Sequence, residues 1–295
     1  MLLRQAGLCT CAILSLGYWS CEVSRAADVA VAATPGAEQR VTMPGGNVVS
    51  VWTDIARILV EDERPLTASR GRAWQSMTGI DYTFDRAFSI GVGISASQAH
   101  TTEFAIPGRT ETDSVIGFAR ATAYFLGNFN AGLIGGYGIG ETDGSRLIGG
   151  ILDVYSRDTN VTFLGAHVGA SFENQGFFVN PAARILVSRS DSDPFQTSLG
   201  LGVLGLPDDF TRASFGGDAG YKFSVGGLTI TPAVRAFFIY DLNLPTGYTD
   251  RTALDLSAVL NVQSGNLTAG VEALATLGRT DMNNYIFRGF TSYRF

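Results

Sequence analysis

The sequence lacks two features that would place it in a common class: long hydrophobic runs and an excess of basic charge. After residue 20, no stretch approaches the ~18 consecutive apolar residues of a membrane-spanning helix, which excludes a helical membrane protein. Asp plus Glu number 27 and Lys plus Arg number 21, giving a formal net charge of −6. This acidic balance argues against a nucleic-acid partner, which would need a basic patch.

Cysteine is also scarce. The three cysteines are Cys9, Cys11 and Cys21, all close to the N-terminus. If this region is removed during export, the mature chain contains no thiol, as suits an oxidising compartment. Tyr18-Trp19-Ser20 is a poor lipoprotein signal, which argues against a lipid-modified Cys21.

The same region has the pattern of a cleaved signal peptide. Arg4 supplies a positive start, and residues 6–16 form an apolar core that is too short to span a bilayer. The small residues of Ser24-Arg25-Ala26 predict cleavage after Ala26. We therefore divide the chain into a signal peptide (1–26), an N-terminal segment (27–73) and a main domain (74–295).

The main domain is a succession of segments of 11 to 13 residues in which apolar residues alternate with polar or small ones. Alternation with period two predicts β-strands, since successive side chains point to opposite faces of a sheet. Eleven segments follow this rule: Trp74–Phe84, Ala87–Ser97, Ser114–Leu126, Phe129–Ile139, Val161–Phe172, Phe177–Ser188, Arg212–Phe223, Leu228–Tyr240, Thr252–Val262, Leu267–Leu277 and Asn284–Phe295.

Charge is confined to one face of these segments. The less apolar face carries every ionisable residue: Asp81, Arg120, Arg184, Arg212, Asp218, Lys222, Arg235, Asp255, Glu272, Arg288 and Arg294. A charge that faces the middle of a bilayer costs about 2–4 kcal/mol, whereas a charge in a wet lumen is tolerated. We therefore predict an all-β fold: a transmembrane antiparallel up-and-down β-barrel of about 12 strands, closed so that no sheet edge meets lipid.

One segment is mixed. In Ser114–Leu126 the face that holds Arg120 also holds Ile116, Phe118 and Tyr124. Either a β-bulge or a lumen packed with side chains would explain this.

The predicted connections alternate between short turns and long links, as in bacterial barrels with short periplasmic turns and long outer loops. The long links are 98–113, 140–160, 189–211, 241–251 and 278–283. Phenylalanines stand beside the short turns on the apolar face: Phe84, Phe88, Phe125, Phe129, Phe172, Phe177 and Phe223. Aromatic residues at one depth predict a girdle at the membrane interface.

The lumen charges are the main candidate functional residues. They are Asp81, Arg120, Arg184, Asp218, Lys222, Arg235, Asp255, Glu272 and Arg288. Mixed charge in a barrel of this size either forms an ion-pair network that closes the pore or lines a narrow aqueous path. We favour the network.

Other motifs point to no chemistry. The glycine-rich run 135–140 lacks the strand-to-helix context and the lysine of a phosphate loop, so it predicts close packing in the lumen. His100 and His167 have no nucleophile placed beside them by any sequence pattern. Acidic loops could bind calcium, but solvated charge is the simpler interpretation. We therefore expect no catalytic residues, no metal and no cofactor.

The order of signals resembles the autotransporter β-domain over about 74–295. Gly79–Phe84 and Ser89–Gly93, joined by a short turn, resemble the opening hairpin of that family. Pro181-Ala182-Ala183-Arg184 and Pro232-Ala233-Val234-Arg235 resemble its two proline-containing strands. Tyr293-Arg294-Phe295 resembles the terminal aromatic signal, at Tyr293 and Phe295, that outer-membrane barrels present to the barrel assembly machinery.

The resemblance implies twelve strands, a helix in the pore and an N-terminal passenger. Residues 27–73 are too few for a passenger domain, and an even strand count requires one more strand before Trp74. Only about 45–66 is available for it, yet Val48, Trp52, Ile55 and Leu59 also fit a helical stripe. A short helix in the lumen and a first strand both remain open.

The expected function is that of a translocator-like barrel or small passive pore in the outer membrane. The expected partners are outer-membrane lipid, the Sec export pathway and the barrel assembly machinery. The alternative is a structural or adhesive protein that acts through its extracellular loops, and a more remote one is an outer-membrane hydrolase.

Overall fold

The structure is a computed structural model that describes residues 47–63, 68–85, 87–205, 207–243, 250–280 and 282–295. These ranges contain twelve long strands and no helix, hence no helix that could cross a membrane. The strands are β1 (Val48–Asp62), β2 (Ser69–Phe84), β3 (Phe88–Glu103), β4 (Gly108–Phe125), β5 (Phe129–Ile148), β6 (Ile151–Ala170), β7 (Phe177–Ser192), β8 (Pro207–Tyr221), β9 (Leu228–Asn243), β10 (Thr252–Ser264), β11 (Leu267–Leu277) and β12 (Met282–Arg294).

The twelve strands form one closed antiparallel barrel. Each strand pairs with its neighbours in the chain, and β12 pairs with β1 from Ser50–Arg294 to Asp62–Met282. Closure leaves no unpaired strand edge in lipid, where every backbone polar group needs an internal partner. The prediction of a transmembrane up-and-down barrel of about 12 strands is confirmed.

Residues 48–62 form the first strand, so the alternative of a lumen helix was wrong for this segment. Trp52 and Ile58 are buried in the lumen, whereas Val51 and Ile55 are exposed on the outer wall. Apolar side chains therefore occupy both faces of β1, because its inner face packs within the barrel. Taken together, the apolar residues of both faces have a spacing in the sequence that also fits one side of a helix. Pairing with β12 on one side and β2 on the other stabilises the extended conformation.

Several strands continue beyond the predicted segments, and two predicted long links are wrong. β5 and β6 pair without interruption from Phe129–Ala170 to Ile148–Ile151, so most of 140–160 is a hairpin with Gly149 and Gly150 in its turn. Both glycines have positive φ, which suits a tight two-residue turn. Likewise, β3 and β4 extend through most of 98–113. Polar residues at buried inner positions, such as Thr112, Thr142 and Thr159, interrupted the apolar pattern and hid these extensions.

The mixed segment is explained by a packed lumen. The β4 register with β3 and with β5 is continuous, so there is no bulge. Ile116 is buried in an apolar cluster inside the barrel, and Phe118 packs against it.

The outer wall is apolar. Ile90, Val92, Leu133, Val234 and Val271 all lie on it with large exposed side chains. Such a surface is stable only against lipid, since soluble proteins rarely expose contiguous apolar patches of this extent.

Two arginine substitutions on β11, one on the outer face and one on the lumen face, test the assignment of these faces. Val271→Arg is expected to reduce the folded barrel sharply, because it places a charge in lipid at a cost of about 2–4 kcal/mol. Thr268→Arg is expected to be mild, because Thr268 lines a cavity in the lumen. The fraction of heat-modifiable protein in outer membranes measures both effects. Efficient folding of the Val271 variant together with failure of the Thr268 variant would contradict the assigned faces.

Candidate functional site: the barrel lumen

An ion pair between β2 and β4 lies on one side of the lumen. Arg120 Nε donates to Asp81 Oδ1 at 2.8 Å, and a second guanidinium nitrogen of Arg120 contacts Asp81 Oδ2. β3 runs between the two strands and has Gly91 at the crossing point. A Cβ on Gly91 would fall 1.8 Å from Asp81 Oδ1, so only glycine leaves room for the carboxylate. The Arg120 guanidinium also lies 5.1 Å from the ring centroid of Trp52.

A second group of charges crosses the seam where the barrel closes. Glu272 on β11 accepts hydrogen bonds from Arg235 Nη1 and from Ser257 Oγ, each at 2.7 Å. Arg288 on β12 reaches the other Glu272 oxygen at 3.4 Å and also pairs with Asp54 on β1. The group thus links β1, β12, β11 and β9. Because Asp54, Glu272 and Arg288 are all buried, each charge depends on these partners rather than on water.

The remaining predicted lumen charges are placed differently. Asp218 accepts a hydrogen bond from Asn180 at 2.9 Å, and Asp255 accepts one from Thr276 at 2.6 Å. Arg184 lies over the Phe237 ring at 4.3 Å. Lys222 pairs with Glu173 at the rim that carries the short turns. The structure therefore brings together five of the nine predicted residues: Asp81 with Arg120, and Glu272 with Arg235 and Arg288.

Sequence analysis missed two acidic residues that hold lumen arginines. Asp54 was assigned to a possible helix, and Asp241 was assigned to a loop. In the structure, fully buried Asp241 binds Arg212 at 2.7 Å and Arg279 at 2.6 Å, near the long-loop end. The signal was available, because the alternation through Phe237 and Ile239 continues to Asp241.

An apolar layer on the neighbouring strands β4 to β8 packs inside the lumen. It contains Ile116, Ile134, Phe163, Leu186 and Phe210, all buried. Glycines on β5 create the space for two of them: a Cβ on Gly136 would come within 2.5 Å of Phe163, and one on Gly138 within 2.4 Å of Ile116. The glycine-rich run 135–140 thus acts in close packing.

All twelve strands contribute to this filling. Each presents a buried side chain to the lumen: Ile58, Met77, Ser95, Ile116, Ile134, Phe163, Leu186, Phe210, Phe237, Ala253, Glu272 and Ile286. Other lumen-facing side chains are partly exposed, among them Arg120 at 17% and Arg235 at 15%. The wall residues therefore narrow the lumen of the described part of the barrel.

A cavity of about 140 Å³ lies in the lumen beside the charges at the seam. Its lining includes Trp52, Arg235, Asn261, Glu272 and Arg288. Trp52 Nε1, Arg235 Nε and Asn261 Oδ1 are buried without a protein hydrogen-bond partner. Buried polar atoms beside a cavity of this size are natural sites for bound water.

The two histidines lie far apart. His100 is on the outer face of β3, where its Nδ1 is 3.6 Å from Glu111 Oε2. His167 lines a lumen cavity of about 100 Å³ with Arg120 and Arg184. Within the described ranges, no three His, Cys, Asp or Glu side chains are arranged to hold a metal ion.

The predicted girdle residues stand side by side at the short-turn end. Phe84, Phe88, Phe125, Phe129, Phe172, Phe177 and Phe223 are all exposed on the outer wall. Phe125 stacks on Phe129 at 6.1 Å between ring centroids, and Phe129 meets Phe172 edge-on at 6.4 Å. Tyr293 and Phe295 are at the same end, with ring centroids 4.8 Å apart. Sequence analysis missed a second set of exposed outer aromatics nearer the long loops, namely Trp74, Tyr137, Tyr240 and Tyr285.

A closed barrel with an apolar wall, interfacial aromatics and a charged lumen defines an integral outer-membrane protein. The family model of the autotransporter β-domain matches residues 62–283. The chain therefore belongs to the autotransporter β-domain family, and it is a Gram-negative outer-membrane barrel of the translocator or pore type.

Solved structures of the family share the fold. The translocator domain of autotransporter NalP from Neisseria meningitidis is 15% identical with a TM-score of 0.76, covering 94% of this chain and 99% of that one. The β-domain of the Bordetella autotransporter BrkA is 16% identical with a TM-score of 0.69, covering 83% and 98%. The transport unit of AIDA-I from Escherichia coli is 12% identical with a TM-score of 0.62, covering 94% and 98%. A sequence search of curated proteins finds no match.

Proposed function

We propose that this barrel is a translocator-type pore that rests closed, sealed by its own lumen side chains rather than by a separate plug. The observation that carries the proposal is the buried apolar layer around Phe163, which neighbouring strands β4 to β8 form and which Phe118 connects to Trp52 and Met77 on β1 and β2. The ion pairs beside it hold Asp81, Arg120, Arg235, Glu272 and Arg288 in fixed positions, which supports a lumen without a free aqueous path. No catalytic step is part of this function.

Export of the chain is part of the same proposal. We infer that a signal peptide directs it through the Sec pathway and is cleaved after Ala26, a site that lies outside the described residues. We further infer that the barrel assembly machinery recognises Tyr293 and Phe295, which are both exposed at the short-turn end.

Opening the apolar layer tests the seal. The double variant Phe163→Ala with Ile116→Ala is expected to conduct ions steadily in planar bilayers, whereas the unmodified barrel stays near baseline. The matched control is Leu164→Ala with Val115→Ala, which truncates the adjacent outward residues of the same two strands. Large-to-small changes at buried sites cost about 2–5 kcal/mol each, so heat-modifiable migration must first show that each variant is folded.

Two outcomes would contradict this function. Steady conductance of the unmodified barrel would show that the layer is not a seal. A folded double variant that stays silent would show that the lumen is closed elsewhere or never conducts.

One observation favours the adhesive alternative. The β5–β6 hairpin exposes Leu147, Ile148, Ile151 and Leu152. Leu147 lies 18 residues from Phe129 along β5, which places it about 45 Å along the barrel axis, beyond an apolar band about 25 Å tall. An exposed apolar patch outside lipid indicates contact with a protein or another surface. Silent bilayers for every variant, together with adhesion of cells that display the barrel, would favour this function.

A further inference from the structure

Two arginines flank a tryptophan on the outer wall of β1 and β2. Arg57 is directly opposite Trp74 in the strand pairing, and its guanidinium lies 5.4 Å from the ring centroid. Arg72 precedes Trp74 by two residues on the same face of β2 and is opposite Leu59. Diagonal neighbours of this kind lie about 7 Å apart, so two arginine side chains can converge on one group.

These residues lie at the outer boundary of the membrane. Trp74 is ten residues from Phe84 of the girdle at the opposite end of β2. At about 3.3 Å per residue and a tilt of about 40°, this corresponds to roughly 25 Å along the axis, the height of the apolar band. Arg57 and Arg72 are thus at the depth of the lipid headgroups, with Ile55 and Phe287 exposed on the wall nearby.

Among the residues that the structure describes, neither arginine has an ion-pair partner. The carboxylate closest to them in the strand pairing, Glu61, binds Arg70 with a distance of 3.0 Å. Glu63 lies beyond the end of β1. Arg57 and Arg72 are exposed and form no ion pair within the described part of the chain. Two permanent charges therefore face the headgroup layer unpaired.

We infer that Arg57, Arg72 and Trp74 form a binding site for a phosphorylated lipid of the outer leaflet. The guanidinium groups bind a headgroup phosphate, for which their planar arrangement of donors is well suited. Trp74 lies at the interface, where its ring contacts the boundary between headgroup and acyl chain. The acyl chains extend along Ile55 and Phe287 on the wall below.

Acidic side chains on the outer face of β4 to β6 disfavour the binding of a phosphate on that part of the wall. Asp113 on β4 is directly opposite Glu141 on β5, which is directly opposite Asp158 on β6. All three are exposed on the outer face. A phosphate there would meet repulsion, so phosphorylated lipid is expected to collect at β1 and β2.

Lipid retention tests the inference on the full barrel purified in mild detergent. Native mass spectrometry with added diphosphoryl lipid A is expected to show a bound lipid. Arg57→Gln with Arg72→Gln is expected to weaken binding about 30-fold, since each basic residue near an anionic lipid contributes about fivefold. Arg57→Lys with Arg72→Lys keeps the charge and is expected to lose much less.

The matched control is Arg189→Gln. Arg189 is also exposed on the outer face, but it already pairs with Asp191 at 3.0 Å. Its variant is expected to bind lipid as the unmodified barrel does, and dephosphorylated lipid A is expected to bind none of the proteins specifically. Three results would overturn the site. The double Gln variant could retain as much lipid as the unmodified barrel, or the Arg189 variant could lose as much lipid as the double Gln variant. The third result is that dephosphorylated lipid A binds as well as diphosphoryl lipid A. None of these outcomes depends on conductance, so the closed-pore function is tested separately.

Discussion

Deletion of residues 27–62 is expected to abolish the folded barrel, because it removes β1. This strand pairs with β12 over 13 positions and with β2 over 15. Without it, the edges of β2 and β12 face lipid with unpaired backbone groups, each of which costs several kcal/mol. The measurement is the heat-modifiable fraction in outer membranes, which should fall to background as the chain is degraded.

The control for this deletion removes only residues 27–46, which precede β1. It leaves every described strand pairing in place, so a folded barrel is expected. A folded product of the longer deletion would show that eleven strands can close without β1, in contradiction to the closure at Ser50–Arg294.

Arg288→Met is expected to destabilise the barrel by about 3–5 kcal/mol, the usual effect of removing one partner from a buried ion pair. Arg288 pairs with both Asp54 and Glu272, and all three are buried. Glu272 retains Arg235 and Ser257, whereas Asp54 loses its ion-pair partner. Urea unfolding in detergent micelles or vesicles measures the change in the free energy of unfolding.

Two further variants separate charge from packing. Adding Asp54→Asn to Arg288→Met removes the unpaired carboxylate, so it should recover a large part of the lost stability. Arg294→Gln changes a lumen-facing arginine that is half-buried and has no ion pair within the described ranges, so its effect should stay below about 1 kcal/mol. If Arg288→Met unfolds at the same urea concentration as the unmodified barrel, the seam charges do not stabilise the closed barrel.

The lumen contains ion pairs and an apolar layer, and the two contribute differently to the structure of the barrel. Ion pairs such as Asp81–Arg120 fix specific strands relative to one another, since a charge without its partner would be buried at high cost. The apolar layer around Phe163 excludes water without such specificity. In the proposed closed state, the barrel opens only if buried side chains move.

The sequence alone determined the class of this protein. Alternation in segments such as Ala87–Ser97 and Leu267–Leu277 is a local property, because lipid imposes the same requirement on every strand. The outward residues must be apolar at Ile90 and Val271 whatever strand lies beside them. The barrel, its approximate strand number and the face of each charge therefore follow without knowledge of any contact.

Only the tertiary structure decided that residues 48–62 form a strand, which charges are partners and which apolar side chains pack together in the lumen. Asp54 and Arg288 are 234 residues apart, and their contact exists only because β12 meets β1 in one register. Alternation assigns a side chain to the lumen but does not say which strand faces it across the barrel. Apolar residues on the inner face, such as Trp52 and Ile116, disturbed the pattern because their environment is other side chains rather than water. The strand pairing around the whole circumference sets these contacts, and no single segment of sequence contains it.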